Sequence, residues 1–81
     1  MYLTKTELKV LKYIYQNRNR NRKLTRGNMS REMGHSCSII YTTSSKLYSK
    51  DMISYYNIDS KKKQILLTLK GEEYIFSLYK N

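Results

Sequence analysis

The sequence predicts a mostly helical α+β domain: three helices, a β-hairpin and a last helix, in that order. Three observations predict it. Apolar residues recur at helical spacing in four stretches, preceded by Thr4, Thr25, Ser36 and Thr68, residue types that cap helices. Between the third and fourth stretches the pattern changes to β-branched and aromatic runs around a lysine-rich turn. Gly34 stands between the second and third helical stretches, where a short helix–helix turn needs one. Eighty-one residues suffice for one hydrophobic core, so residues 1–81 are read as a single domain.

The first helix starts after Thr4. Thr4 and Glu7 have capping-box spacing, and Leu3 and Leu8 are placed for a hydrophobic staple. Leu8, Leu11, Ile14 and Tyr15 form the apolar stripe with Val10 beside it; Lys5, Lys9 and Lys12 lie opposite. The helix ends near Asn17, where an Asn/Arg alternation begins. Thr25 caps a second helix to about Met33, with Met29 and Met33 inward and Gly27 weakening it. Gly34 suits the left-handed position that ends it. A third helix, 36–50, places Ile40 and Leu47 one heptad apart, with Ile39 and Thr43 beside them. Strands are expected at 52–58 and 64–67, and a helix at 69–80 with Ile75 and Leu78 inward. This order is that of a winged helix-turn-helix: the second and third helices form the turn motif, and the hairpin is the wing.

Charge points to a partner. Sixteen Lys and Arg oppose six Asp and Glu, a net +10, which attracts phosphate polymers or anionic surfaces. Residues 1–35 carry nine basic and two acidic groups, residues 36–52 two and one, residues 53–81 five and three. The cations thus flank the third helix and do not crowd it, which suits phosphate anchoring on both sides of a groove.

The segment from Ile40 to Ile53, with Thr43, Leu47 and Met52, resembles the recognition helix and "Leu-x-x-x-Gly-Leu-Ile" exit of MarR-like winged-helix regulators. Asp59-Ser60-Lys61, then Leu67-Thr68-Leu69-Lys70-Gly71, is similar to that family's wing "Asp-x-Arg" and the "Leu-Thr-x-x-Gly" opening its next helix. Lys61 replaces the wing arginine, Asp51 the glycine, and Thr43 a position that is commonly apolar. The chain is shorter than typical members, which have long paired terminal helices around a ligand pocket. The resemblance implies the fold and double-stranded DNA binding in transcription regulation, and not small-molecule sensing. In size the chain also resembles small viral and plasmid regulators.

A helix-turn-helix places its second helix in the major groove. With Ile40, Thr43 and Leu47 inward, Ser36, Cys37, Ser38, Tyr41, Thr42, Ser45 and Lys46 are the outward candidates. Their hydroxyls donate or accept, and a Thr methyl can meet a thymine methyl. The helix has no Arg, Asn or Gln, so bidentate purine contacts are missing, and backbone charge and DNA shape gain weight. Lys61, Lys62 and Lys63 at the wing suit phosphates or the minor groove. Arg26 and Arg31 suit the flanking backbone. Arg18, Arg20 and Arg22 fit an outer phosphate strand or a solvated loop equally.

The last helix has more apolar surface than one face needs. Phe76 and Tyr79, three residues apart, are expected to form a symmetric homodimer, with Tyr2 and Tyr13 contributing. His35 and Cys37 are the nucleophile-and-base candidates but lack a third member, and the chain lacks a ligand set for zinc, so neither an enzyme, a metal nor a cofactor is expected. One cysteine, no signal-like segment and no membrane-length apolar run lead to an intracellular, cytoplasmic expectation. Two other functions are compatible with the sequence: a winged-helix protein-interaction module, and a non-specific architectural DNA binder.

Overall fold

The computed structural model describes residues 3–19, 24–60 and 62–79, apart from the Tyr79 side chain. Expectations for Tyr2, Arg20, Arg22, Lys61 and the Tyr79 side chain lie outside the described residues. The elements are α1 (Lys5–Gln16), α2 (Arg26–Met33), α3 (Cys37–Ser49), β1 (Ile53–Asn57), β2 (Lys63–Leu67) and α4 (Leu69–Tyr79).

Each helix begins where a hydroxyl can satisfy its free amide groups. The Thr4 Oγ1 accepts from the Glu7 N–H at 3.2 Å, and Glu7 Oε1 accepts from the Thr4 N–H at 2.9 Å, a complete capping box. Thr25 accepts from the Asn28 N–H, and Ser36 from the Ile39 N–H, both at 3.2 Å. Gly34 ends α2 at φ 74°, a left-handed conformation open to a residue without Cβ.

The exit from α3 is a Schellman motif. The Met52 N–H donates to the Leu47 carbonyl and the Asp51 N–H to that of Tyr48, both at 3.0 Å. Asp51 therefore adopts φ 62°, a conformation that explains why glycine suits this position. The same turn is fastened to the start of α4. The Thr68 N–H donates to the Met52 carbonyl at 3.2 Å, its hydroxyl donates to the Asp51 carbonyl at 2.5 Å, and that Oγ1 accepts from the Gly71 N–H at 3.0 Å.

The core joins Val10, Leu11 and Ile14 of α1, Met29 of α2, Ile40 and Leu47 of α3, Ile53 and Ile65 of the hairpin, and Ile75 of α4. Antiparallel β1 and β2 pair Ile53 with Leu67, Tyr55 with Ile65 and Asn57 with Lys63, so these residues share one face, which meets the core at the first two pairs and is exposed at Asn57 and Lys63. Tyr56 and Leu66 belong to the outer face and are exposed. The free edge of β2 is bonded from outside the hairpin, the Ile65 N–H donating to the Leu24 carbonyl at 2.8 Å.

Several expectations need correction. Ile39 is 44% exposed, because Ile40, Thr43, Ser44 and Leu47 occupy the inward side of α3. Leu78 is exposed although it lies one turn beyond Ile75, where α4 has run past the core. The strands are shorter at the first hairpin arm and longer at the second than expected: Met52 is a core residue in the turn, and Lys63 is already in β2. Tyr13 is half-buried against the core and donates its hydroxyl to Glu32.

Glu7 does more than cap. It is buried and accepts from the Lys50 ammonium at 2.8 Å, tying the start of α1 to the end of α3. That hydrogen bond, then the Thr4 N–H, holds its carboxyl below the ordinary 4.5 against the opposing effect of burial. A lowered carboxylate pKa stabilises the fold above the unfolded-state value, and the contribution disappears as pH falls through the folded-state value. Stability should therefore decline on the acid side below about pH 4.5, and Glu7→Gln should flatten that decline in melting curves recorded from pH 7 to 3. Equal acid slopes for the two proteins would show that Glu7 is not the titrating group.

Candidate nucleic-acid interface

Helical spacing divides the surface of α3 into three strips around its buried side. Directly opposite the core stand hydroxyls: Ser38, Thr42, Ser45 and Ser49, all exposed. On the flank facing α1 stand Ile39 and Lys46, which with Thr6 and Glu7 line an open groove. On the other flank stand Tyr41 and Tyr48, one heptad apart and 56% and 54% exposed. Ser36 and Cys37 are exposed at the entrance to the helix, Ser36 already used as its cap.

The tyrosine flank is where neighbouring elements converge. The Arg26 guanidinium at the start of α2 lies 4.7 Å from the Tyr41 ring centroid. Tyr48 packs against Tyr55 of β1 with ring centroids 5.2 Å apart and planes tilted by 39°. Lys63 of β2 lies over the Tyr55 ring, its Nζ 5.7 Å from the centroid. Burial pushes the Tyr55 phenol above 10.0, with Tyr41 and Tyr48 adding to the rise and Arg26 opposing it, so its hydroxyl keeps its proton. The start of α2, the outer side of α3 and the hairpin therefore form one continuous surface.

At the hairpin turn, Asp59 Oδ1 accepts from the Lys62 N–H at 2.8 Å, which shapes the loop while Lys62 and Lys63 stay exposed. Arg31 is exposed on α2 and donates to Asn28 Oδ1 at 2.5 Å. Arg18 leaves α1 with its guanidinium 3.9 Å from the Tyr15 ring centroid. The fold thus gathers Arg26, Tyr41, Lys63 and the hydroxyl strip, while Arg18 belongs to the end of α1.

Sequence reasoning missed Tyr48 and Tyr55. Tyr48 repeats Tyr41 after seven residues, just as Leu47 repeats Ile40, and this was a legible signal. Tyr55 was not legible, because strand alternation alone does not say which helix its face meets. His35 is half-buried in the turn, its carbonyl accepting from the Ser30 hydroxyl at 2.5 Å. Among the described residues no three His, Cys, Asp or Glu side chains are grouped to hold a metal, and no helix is long and apolar enough to cross a membrane.

No protein-family model matches the sequence, and no curated protein matches it. Solved structures do match the fold. MepR, a transcription regulator of the Staphylococcus aureus multidrug efflux pump MepA, is similar with a TM-score of 0.85 and 19% identity, over 96% of this chain and 56% of MepR. The S. aureus MepR–DNA complex gives 0.82 and 20%, over 96% and 63%. A candidate DNA-binding protein of Ralstonia eutropha gives 0.78 and 11%, over 96% of this chain and 99% of its own. The chain spans a little over half the length of MepR. At such identities the likeness is one of architecture: this chain has the winged helix-turn-helix fold found in MepR, with α2 and α3 as the turn motif and β1–β2 as the wing.

Proposed function

We propose that this chain is a sequence-specific, double-stranded DNA-binding transcription regulator of the MarR-like kind, a binding protein and not an enzyme. The observation that carries the reading is the exposed hydroxyl strip of α3, bordered on one continuous surface by Arg26 and by the lysine-bearing hairpin. A helix with that outward side enters a major groove while the hairpin lies along phosphates or the adjacent minor groove. Ser36, Ser38, Tyr41, Thr42, Ser45 and Lys46 are the proposed groove residues; Lys61, Lys62, Lys63 and Arg31 are proposed for the backbone. MepR, which shares the fold, has been solved with DNA. A DNA ligand implies an intracellular place of action.

We further propose that the regulator is a homodimer joined through α4. Phe76 and Leu69 are 58% and 73% exposed and lie two turns apart on one flank of α4, about 100° round the helix from Ile75, an apolar strip that a second copy would cover. Tyr79, three residues beyond Phe76, is assigned to the same interface.

The test is selection of bound duplexes from a random pool, followed by competition. A selected site should be preferred over unrelated duplex by about a thousandfold or more. Equal competition by the two would replace regulation with architectural coating, and the absence of duplex binding would end the reading. Sedimentation at micromolar concentration should give twice the monomer mass; a monomer alone would remove the dimer.

A further inference from the structure

We propose that α3 reads A·T pairs through the methyl groups of thymine, with Tyr41 as a specificity-determining residue and Arg26 as the residue that positions it. This rests on the DNA-binding reading above and names what the same surface recognises.

Guanine is read by a bidentate Arg or Lys, adenine by a bidentate Asn or Gln. The helix has no Arg, Asn or Gln, and Lys46, on the flank toward α1, is its one cation, able to meet a guanine edge or a phosphate. Serine and threonine hydroxyls bond donors and acceptors alike and discriminate little. What remains is apolar: the exposed ring of Tyr41, the methyl of Thr42 beside it, and exposed Ile39 on the other flank. The thymine methyl is the apolar group that a major groove presents. Apolar surface that stays wet in the free protein gains by meeting it.

Tyr41 is also prepared for this task. One side of its environment is taken by the Arg26 guanidinium, 4.7 Å from the ring centroid, yet the residue remains 56% exposed. An exposed tyrosine ordinarily samples several rotamers, and ordering one on binding weakens affinity. A cation stacked on the ring holds it in one orientation before DNA arrives. Arg26 then serves the protein's own aromatic side chain, a role distinct from that of a phosphate clamp.

The experiment compares thymine with uracil, which differ by the methyl group alone. Fluorescence anisotropy is measured on a selected duplex and on copies carrying uracil at single positions, with wild type, Tyr41→Ala, Tyr41→Phe and Arg26→Ala. The selected sites should be rich in A·T pairs, and uracil at a contacted position should weaken wild-type binding about fourfold, the value of one desolvated methyl group. Tyr41→Ala should bring that ratio to about one at the position it contacts; Tyr41→Phe, which keeps the ring, should retain it. Arg26→Ala should reduce the ratio without changing the salt dependence of binding. Uracil duplexes bound as tightly as thymine duplexes would overturn the methyl reading while leaving duplex binding intact. An Arg26→Ala variant with an unchanged ratio and a salt slope shallower by about 0.9 would overturn the positioning role and make Arg26 a phosphate contact.

Discussion

Replacing Gly71 by alanine should lower stability by about 3 kcal/mol, although alanine is the better helix former. A Cβ at this position would meet the Met52 carbonyl oxygen at 2.1 Å and the Met52 carbonyl carbon at 3.0 Å. The obstacle is backbone, so no side-chain rotation relieves it. Either α4 retreats, breaking the Thr68 bonds to Asp51 and Met52, or the Schellman turn that ends α3 moves with it. In a domain of this size the change corresponds to a fall in Tm of about 10–20 °C. Gly27 supplies the opposite control. It lies in α2 with nothing within 4 Å of an added Cβ, and Gly27→Ala should raise stability by about 0.8 kcal/mol. Thermal melts of the two variants decide the matter: a Gly71→Ala protein as stable as wild type would refute the close approach of α4 to Met52.

Removing the wing cations should give the largest change in DNA binding. If about five phosphates are neutralised per subunit, log affinity falls with log salt at a slope near −4.5. The double substitution Lys62→Ala and Lys63→Ala should make that slope shallower by about 1.8. At about 0.15 M salt the affinity should fall roughly thirtyfold, since each lost phosphate contact is worth about fivefold there. The loss should be equal on selected and unrelated duplexes, because phosphates carry no sequence. Titrations at four salt concentrations measure both quantities. An unchanged slope would detach the hairpin from the DNA backbone. A loss confined to the selected site would make these lysines base readers.

The variant sites also separate what was readable in the chain from what was not. Thr4, Thr25, Ser36 and Thr68 are where helices begin because capping is a local transaction between a hydroxyl and an amide three residues ahead. The outward hydroxyls of α3 were equally readable, since 3.6-residue periodicity sorts them once Ile40, Thr43 and Leu47 are inside. Ile39 and Leu78 were misjudged for the same reason in reverse. Periodicity gives the direction of a side chain, and the extent of the neighbouring core decides whether anything covers it. The roles of Glu7 and Gly71 depend on partners 43 residues away, Lys50, and across the fold, Met52, and no local pattern encodes such distances.

Local chemistry alone determined the order of helices and strands, their caps, the basic wing turn and the strip of α3 that looks outward, because each depends on residues within a few positions of one another. Tertiary structure alone decided that Arg26 rests on Tyr41, that Tyr48 meets Tyr55, and that α4 presses its glycine onto the end of α3. These contacts join segments that are distant in the chain, and only packing around a shared core sets where such segments meet.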